Sequence, residues 1–256
     1  MNHASSAVKV LVAVILIASC RGVADESSLY GSVPAVRHLT GRFDPAKHEL
    51  FVCLNDVGIP TNNRRHYVRR EAAAALKDLY TAFRKEHPTI PFWVQSSFRG
   101  FDDQKYIWDG KWTGTIEVAG HRLNTIRDPR KRALEILKYS AMPGTSRHHW
   151  GADFDINVLN NNYFETGEGR VLYRWLTANA GRYGFCQPYT AGRSGGYSVE
   201  KWHWSYAPLA KKFLAGWNAH YRKSPGDFSR EGLFCGSDLT GDLAPVYVNS
   251  IDAACE

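Results

Sequence analysis

Apolar side chains recur at three- and four-residue intervals between Val68 and Glu86. Leu76, Leu79, Tyr80 and Phe83 fall on one face there, and Ala72–Ala75 add helix propensity. The pattern predicts a helix over 68–86, ended by His87-Pro88. Pro91–Ser96 reads as a short buried strand running into Ser97-Phe98-Arg99, and a helix begins over Asp102–Trp108. Residues 109–128 carry Gly, Thr and Asn without a period and read as an irregular insertion. Pro129–Tyr139 is a second helix with proline in its first turn. A turn at 143–145 leads to a strand around Ala152–Val158, followed by an Asn-rich loop at 159–163. Glu168–Ala180 places Leu172, Trp175 and Leu176 inward, with Gly181 at the expected C-terminal cap. Another strand begins at Tyr183–Cys186, a glycine-rich loop spans 190–197, and Pro208–Tyr221 is the last clear helix.

The flanks are less regular. Residues 25–50 read as a poorly structured lead-in, and 224–256 as a tail with strand-like Val246-Tyr247-Val248. Helices and strands mix without strict alternation, which predicts an α+β fold. No internal repeat is present.

Residues 1–24 read as an export leader. Lys9 precedes an apolar run from Val10 to Ala18, too short to span a bilayer. Two processing outcomes compete: cleavage after Ala24, or lipidation at Cys20 in a lipobox-like Ile17-Ala18-Ser19-Cys20. Beyond Cys20, four cysteines remain, an even set that predicts two disulfides in an oxidising compartment. Sequence allows three pairings. The expectation is Cys53–Cys186 and Cys235–Cys255, the second tethering the tail.

The formal charge is +7, yet the basic clusters (Arg64-Arg65, Arg69-Arg70, Arg130-Lys131-Arg132) are too short for a nucleic-acid arm. Attraction to an anionic wall polymer or lipid headgroups suits this charge better. The 8 Trp and 13 Tyr suit either core packing or a groove for an extended ligand.

The chemistry concentrates in two segments. Ser146–Asp155 sets His148 and Asp155 around Gly151, and Glu200-Lys201-Trp202-His203 offers a carboxylate and an imidazole. Two histidines and one carboxylate can hold a tetrahedral zinc with one position open, leaving a second carboxylate to act as base. Asp153 and Asp155 share one strand face by the period of two. Two such carboxylates call for a cation or donors between them, and the alternation alone leaves open which one meets a metal. Glu200 and His203 can serve one site only if Glu200 lies in the entering loop or at a bulge.

Ser-x-His-x-x-Gly-x-x-x-Asp over 146–155, Glu-x-x-His over 200–203 and an upstream Ser96-x-x-Arg99-x-x-x-x-Gln104 together resemble the VanY-type D-alanyl-D-alanine carboxypeptidases, of the LAS group of zinc peptidases acting on peptidoglycan. The resemblance covers roughly residues 65–210. It implies a small central antiparallel sheet flanked by helices. It also implies His148, Asp155 and His203 as Zn2+ ligands, Glu200 as base, Arg99 facing substrate and oxyanion, and Gln104 and Ser146 contacting substrate. The family commonly has a small residue at the position of Asp153, which is expected here to bind a neighbouring His or Arg or to shape the pocket. His149 has no family role.

The organisation expected is a leader (1–24), a lead-in (25–64), a zinc peptidase domain (65–222) and a tail (223–256). The activity expected is D,D-carboxypeptidase action on peptidoglycan stem peptides by an exported monomer of the periplasm or cell envelope. The alternatives are a peptidoglycan endopeptidase and a non-catalytic peptidoglycan-binding module. Retention of the three ligands and the base counts against the last.

Overall fold

The fold is described for residues 29–256 of a computed structural model; the leader, with Lys9 and Cys20, lies outside the described residues. The architecture is α+β. Helix α1 (Ala35–Leu39) precedes strands β1 (Phe51–Cys53) and β2 (Tyr67–Arg69), which pair antiparallel as a separate two-stranded sheet. Helix α2 (Arg70–Glu86) follows at once, with Ala72, Ala73, Leu76, Leu79 and Phe83 buried along one stripe. Strand β3 (Val94–Ser96), α3 (Phe101–Thr113), α4 (Pro129–Leu137), β4 (Asp153–Ile156), α5 (Gly167–Asn179), β5 (Phe185–Cys186), β6 (His203–Tyr206) and α6 (Ala207–Lys223) complete the main body.

The larger sheet has the order β3-β4-β6-β5 and is antiparallel throughout. Its alternation separates chemistry from packing. Phe154, Ile156 and Trp204 join Val94 and Phe185 in a core closed by Leu76 and Phe83 of α2 and Trp175 and Leu176 of α5. On β4 and β6 the intervening positions, Asp153, Asp155, His203 and Ser205, form the opposite face. A second core gathers Trp108, Trp150, Phe213 and Trp217.

Several expectations change. The lead-in is folded: α1 lies within it, and Tyr30 and Leu39 enter the second core. Those contacts are to α6, far away in sequence, so no local period announces them. The insertion after residue 108 begins as helix, since α3 runs to Thr113 and stops at left-handed Gly114. Gly181 is not a cap; α5 gives way to a tight turn over Ala180–Tyr183, and Gly184, at φ 80°, closes it. Val246-Tyr247-Val248 is helical within Ala244–Asn249, where Pro245 fits the first turn and Ala244 and Val248, four apart, are both buried.

The disulfide expectation is also corrected. Among the described residues one disulfide joins Cys186 to Cys255, with Cα atoms 5.6 Å apart, and Cys53 and Cys235 are free. Cys53 belongs to the small sheet, where its thiol donates to Asn55 Oδ1. Cys186 sits on edge strand β5, and the tail returns beside it through Asp252 N–H to Pro188 O and Thr190 Oγ1 to Asp252 Oδ2. Among the described residues no helix is long and apolar enough to cross a membrane.

Candidate metal and catalytic site

The site is built where β4 and β6 pair. Residues Arg147–Trp150 form a tight helical turn ended by Gly151 at φ 70°. A Cβ at Gly151 would lie 2.3 Å from the Phe51 ring, so only glycine allows this turn to lie against β1. The Gly151 carbonyl accepts from Arg69 N–H, tying the turn to β2.

That turn aims His148 at the sheet face. Its Nδ1 donates to Ser97 O at 2.8 Å, which leaves the Nε2 lone pair pointing at Asp155 Oδ2, 3.4 Å away. Asp155 is in register with His203 on β6, and His203 Nδ1 lies 3.0 Å from Asp155 Oδ1. Ligand atoms of His148, Asp155 and His203 all fall within 4.8 Å of one another, and all three residues are buried. Tetrahedral zinc with ligands at about 2.0–2.1 Å separates them by roughly 3.4 Å. The donor types and spacings therefore fit zinc.

Asp153 is committed elsewhere. Its Oδ2 accepts from Arg147 Nε at 2.8 Å and from His203 Nε2 at 2.9 Å, and its Oδ1 accepts from Ser205 Oγ at 2.8 Å. Arg147 also donates to Ser205 Oγ. Burial opposes ionisation of Asp153, but Arg147 and His203 outweigh it and hold the carboxyl well below its usual range. Asp155 is likewise held low against burial by His148 and His203. His203, bridging two carboxylates, is raised to about 9 although burial alone would lower it.

Glu200 lies just before β6, in the entering loop. Its N–H donates to Tyr189 O, and its own carbonyl accepts from Gln187 Nε2 and His203 N–H. This turn places Glu200 Oε2 3.7 Å from His203 Nδ1. Burial pushes the Glu200 carboxyl up to about 8, against the pull of His203. The face problem posed by the Glu-x-x-His spacing is solved by this turn.

Arg99 follows β3. It donates to Gln104 Oε1 at 2.9 Å and Ser96 Oγ at 3.1 Å, and its N–H bonds His148 O. Gln104 is fully buried, and its amide nitrogen is used on Ala141 O. It is thus not a wall of the cavity but the support that holds Arg99. His149, also buried, braces the same segment: Nδ1 donates to Arg99 O, and Nε2 accepts from Gly144 N–H. Burial takes its pKa down to about 3, so the ring stays neutral.

These groups open onto a cavity of about 640 Å³, lined among others by Arg99, Ser146, His148, Glu200, Tyr189 and Lys111. That volume suits a small peptide. Residues 65–209, which include every site residue named above, match the family model VanY: D-alanyl-D-alanine carboxypeptidase. The chain belongs to the VanY family. Among curated relatives, the D-alanyl-D-alanine carboxypeptidase of Enterococcus faecalis (strain ATCC 700802 / V583) is 33% identical over 136 residues, covering 52% of this chain and 46% of that protein. The YodJ protein of Bacillus subtilis (strain 168) is 28% identical over 176 residues, 66% of this chain and 56% of that one. The chain thus spans about half the length of these relatives. Among solved structures, the LdcB LD-carboxypeptidase is 24% identical with a TM-score of 0.49, covering 70% of this chain and 76% of that one.

Within this VanY-family chain, sequence reasoning missed Lys111, Ser140, Tyr189, Tyr197 and Arg147. Lys111 resembles any helix-surface lysine, and Arg147 any turn residue. The periodicity of α3 holds one late clue, since Gln104 and Lys111 are seven apart and so share a face.

Proposed function

We propose that this protein is a zinc-dependent D,D-carboxypeptidase that removes the terminal residue of D-Ala-D-Ala-ending peptidoglycan stem peptides. The observation that carries this reading is Glu200 Oε2 beside the His148, Asp155 and His203 cluster, at the floor of a cavity that Arg99 also faces. His148 Nε2, Asp155 and His203 Nδ1 are the zinc ligands. Zinc, when bound there, supplies Lewis acidity to the scissile carbonyl and lowers the pKa of the attacking water.

The chain's own residues do the rest. Glu200 takes the proton of the attacking water on its carboxylate and delivers it to the leaving amine. Its burial favours holding that proton between the two events. Arg99, fixed by Ser96 and Gln104, presents a permanent cation to the developing oxyanion. Ser146, on the cavity wall, contacts the substrate.

Residues 65–222 form the peptidase domain in this reading. The protein acts as a monomer in the cell envelope, after loss of the leader or lipid attachment at Cys20. Incubation with purified peptidoglycan fragments, followed by mass spectrometry, tests the activity. Loss of a single alanine from pentapeptide stems is expected. Split cross-links with intact pentapeptide ends would overturn it in favour of an endopeptidase.

A further inference from the structure

Lys111 is a cation lining the cavity, felt by the Glu200 carboxylate across it but not paired with it. Among the described residues no carboxylate lies within ion-pair distance of it, and its ammonium donates to Ser140 Oγ. Lys105, on the same helix but outside this cavity, pairs instead with Asp109. A half-buried ammonium has lost hydration and has three donors, of which Ser140 uses one. Two remain for a ligand in the cavity that Lys111 lines.

The charge balance of the cavity makes the same demand. Asp153 is neutralised by Arg147 within the protein. What faces the cavity is Arg99, Lys111, Asp155 and Glu200. With a divalent cation on the ligand cluster, positive charge exceeds negative, so an anionic ligand is favoured. Burial and the nearby Arg99 charge lower the lysine to about 8, with Glu200 pulling the other way.

Position separates the two cations. The backbone of Arg99 is bonded to His148 O, which ties this cation to the segment that carries a ligand histidine. Lys111 lies seven residues beyond Gln104 on α3, about 10 Å along the axis from the residue that holds Arg99. Ser140, its partner, adjoins Ala141, whose carbonyl holds Gln104. The terminal carboxylate of a carboxypeptidase substrate falls one residue beyond the scissile bond, farther from the metal than the oxyanion. We propose that Lys111, with Ser140, is the receptor for the substrate's terminal carboxylate, leaving Arg99 to the oxyanion. This rests on the carboxypeptidase reading above and deepens it, because an endopeptidase has no use for a cation at that point.

The test compares an acetylated L-Lys-D-Ala-D-Ala peptide with the same peptide as its C-terminal amide, on the wild type, Lys111→Met and Lys111→Arg. The wild type should prefer the acid by roughly 10- to 100-fold in kcat/KM, the scale of one charge-assisted hydrogen bond. Lys111→Met should collapse that ratio towards one, chiefly through KM, and Lys111→Arg should restore most of it. An acid-to-amide ratio unchanged in Lys111→Met, or equal loss on both peptides, would overturn the proposal. If the wild type cuts neither peptide, the carboxypeptidase reading fails by itself. Calorimetric binding of D-Ala-D-Ala and its amide to Glu200→Gln, with and without Lys111→Met, then decides the role of Lys111: acid-selective binding lost with the lysine supports it, and binding indifferent to the lysine sinks it.

Discussion

Asp153 Oδ2 accepts the Nε2 proton of His203 at 2.9 Å, so the carboxylate fixes which imidazole nitrogen is left to face Asp155 and Glu200. Arg147 and Ser205 hold Asp153 still. An outer carboxylate of this kind orients a ligating histidine and raises its basicity. Asp153→Asn keeps the shape and removes the charge. It should weaken zinc binding by about 10- to 100-fold while the protein stays folded. Competition against a chromogenic chelator measures this, and an unchanged affinity would mean that Asp153 serves packing alone.

Glu200→Gln should separate binding of the metal from turnover. The side chain borders the ligand cluster without belonging to it, so zinc content should stay near one per chain. Removal of the proton carrier should lower kcat by roughly 10²- to 10⁴-fold. Metal analysis and steady-state kinetics on the same preparation check both halves. A variant that keeps its activity excludes Glu200 as the base.

The legible part of this protein was the part whose chemistry is local. His148 and Asp155 are bound to one turn and one strand, and alternation on β4 put Asp153 beside Asp155 without any structure. The antiparallel register of β4 with β6 then turned two separate motifs into one cluster, and the entering loop brought Glu200 round to it. Lys111 was invisible because its meaning depends on a missing partner, which no spacing records. The lead-in and tail were misread for a related reason. Tyr30, Leu39, Val248 and Ile251 are buried by non-local partners in a shared core, and short segments with such contacts show no period of their own. Disulfide pairing depends on where the tail returns, and that is tertiary information.

The tail is fastened to β5 by Cys186–Cys255, which closes a loop of 69 residues in sequence separation. Cross-linking a loop of that size restricts the unfolded chain by about 4 kcal/mol in the chain-entropy account. Cys255→Ser should therefore lower the unfolding free energy from urea titration under non-reducing conditions by about 4 kcal/mol or somewhat less. Non-reducing peptide mapping should recover the 186–255 pair, with Cys53 and Cys235 alkylated after denaturation. Recovery of a Cys53–Cys186 or Cys235–Cys255 peptide would refute the pairing.

His38 lies between the rings of Phe43 and Phe213, with centroid distances of 4.8 and 4.9 Å, and is wholly buried. Burial first, then the charges of Arg69 and His48, take its pKa down to about 3. The unfolded chain holds an ordinary imidazole near 6.5. Below that value the unfolded state binds a proton that the native state refuses, so this group's contribution is fully present above pH 6.5 and is lost as pH falls towards 3. The slope approaches about 1.4 kcal/mol per pH unit in that window. His38→Phe keeps a ring in the stack and removes the titration. Its stability should fall less steeply than that of the wild type between pH 6 and pH 4, by up to about that slope. Urea unfolding across this range gives the comparison, and parallel curves for the two proteins would show that His38 takes no part in acid sensitivity.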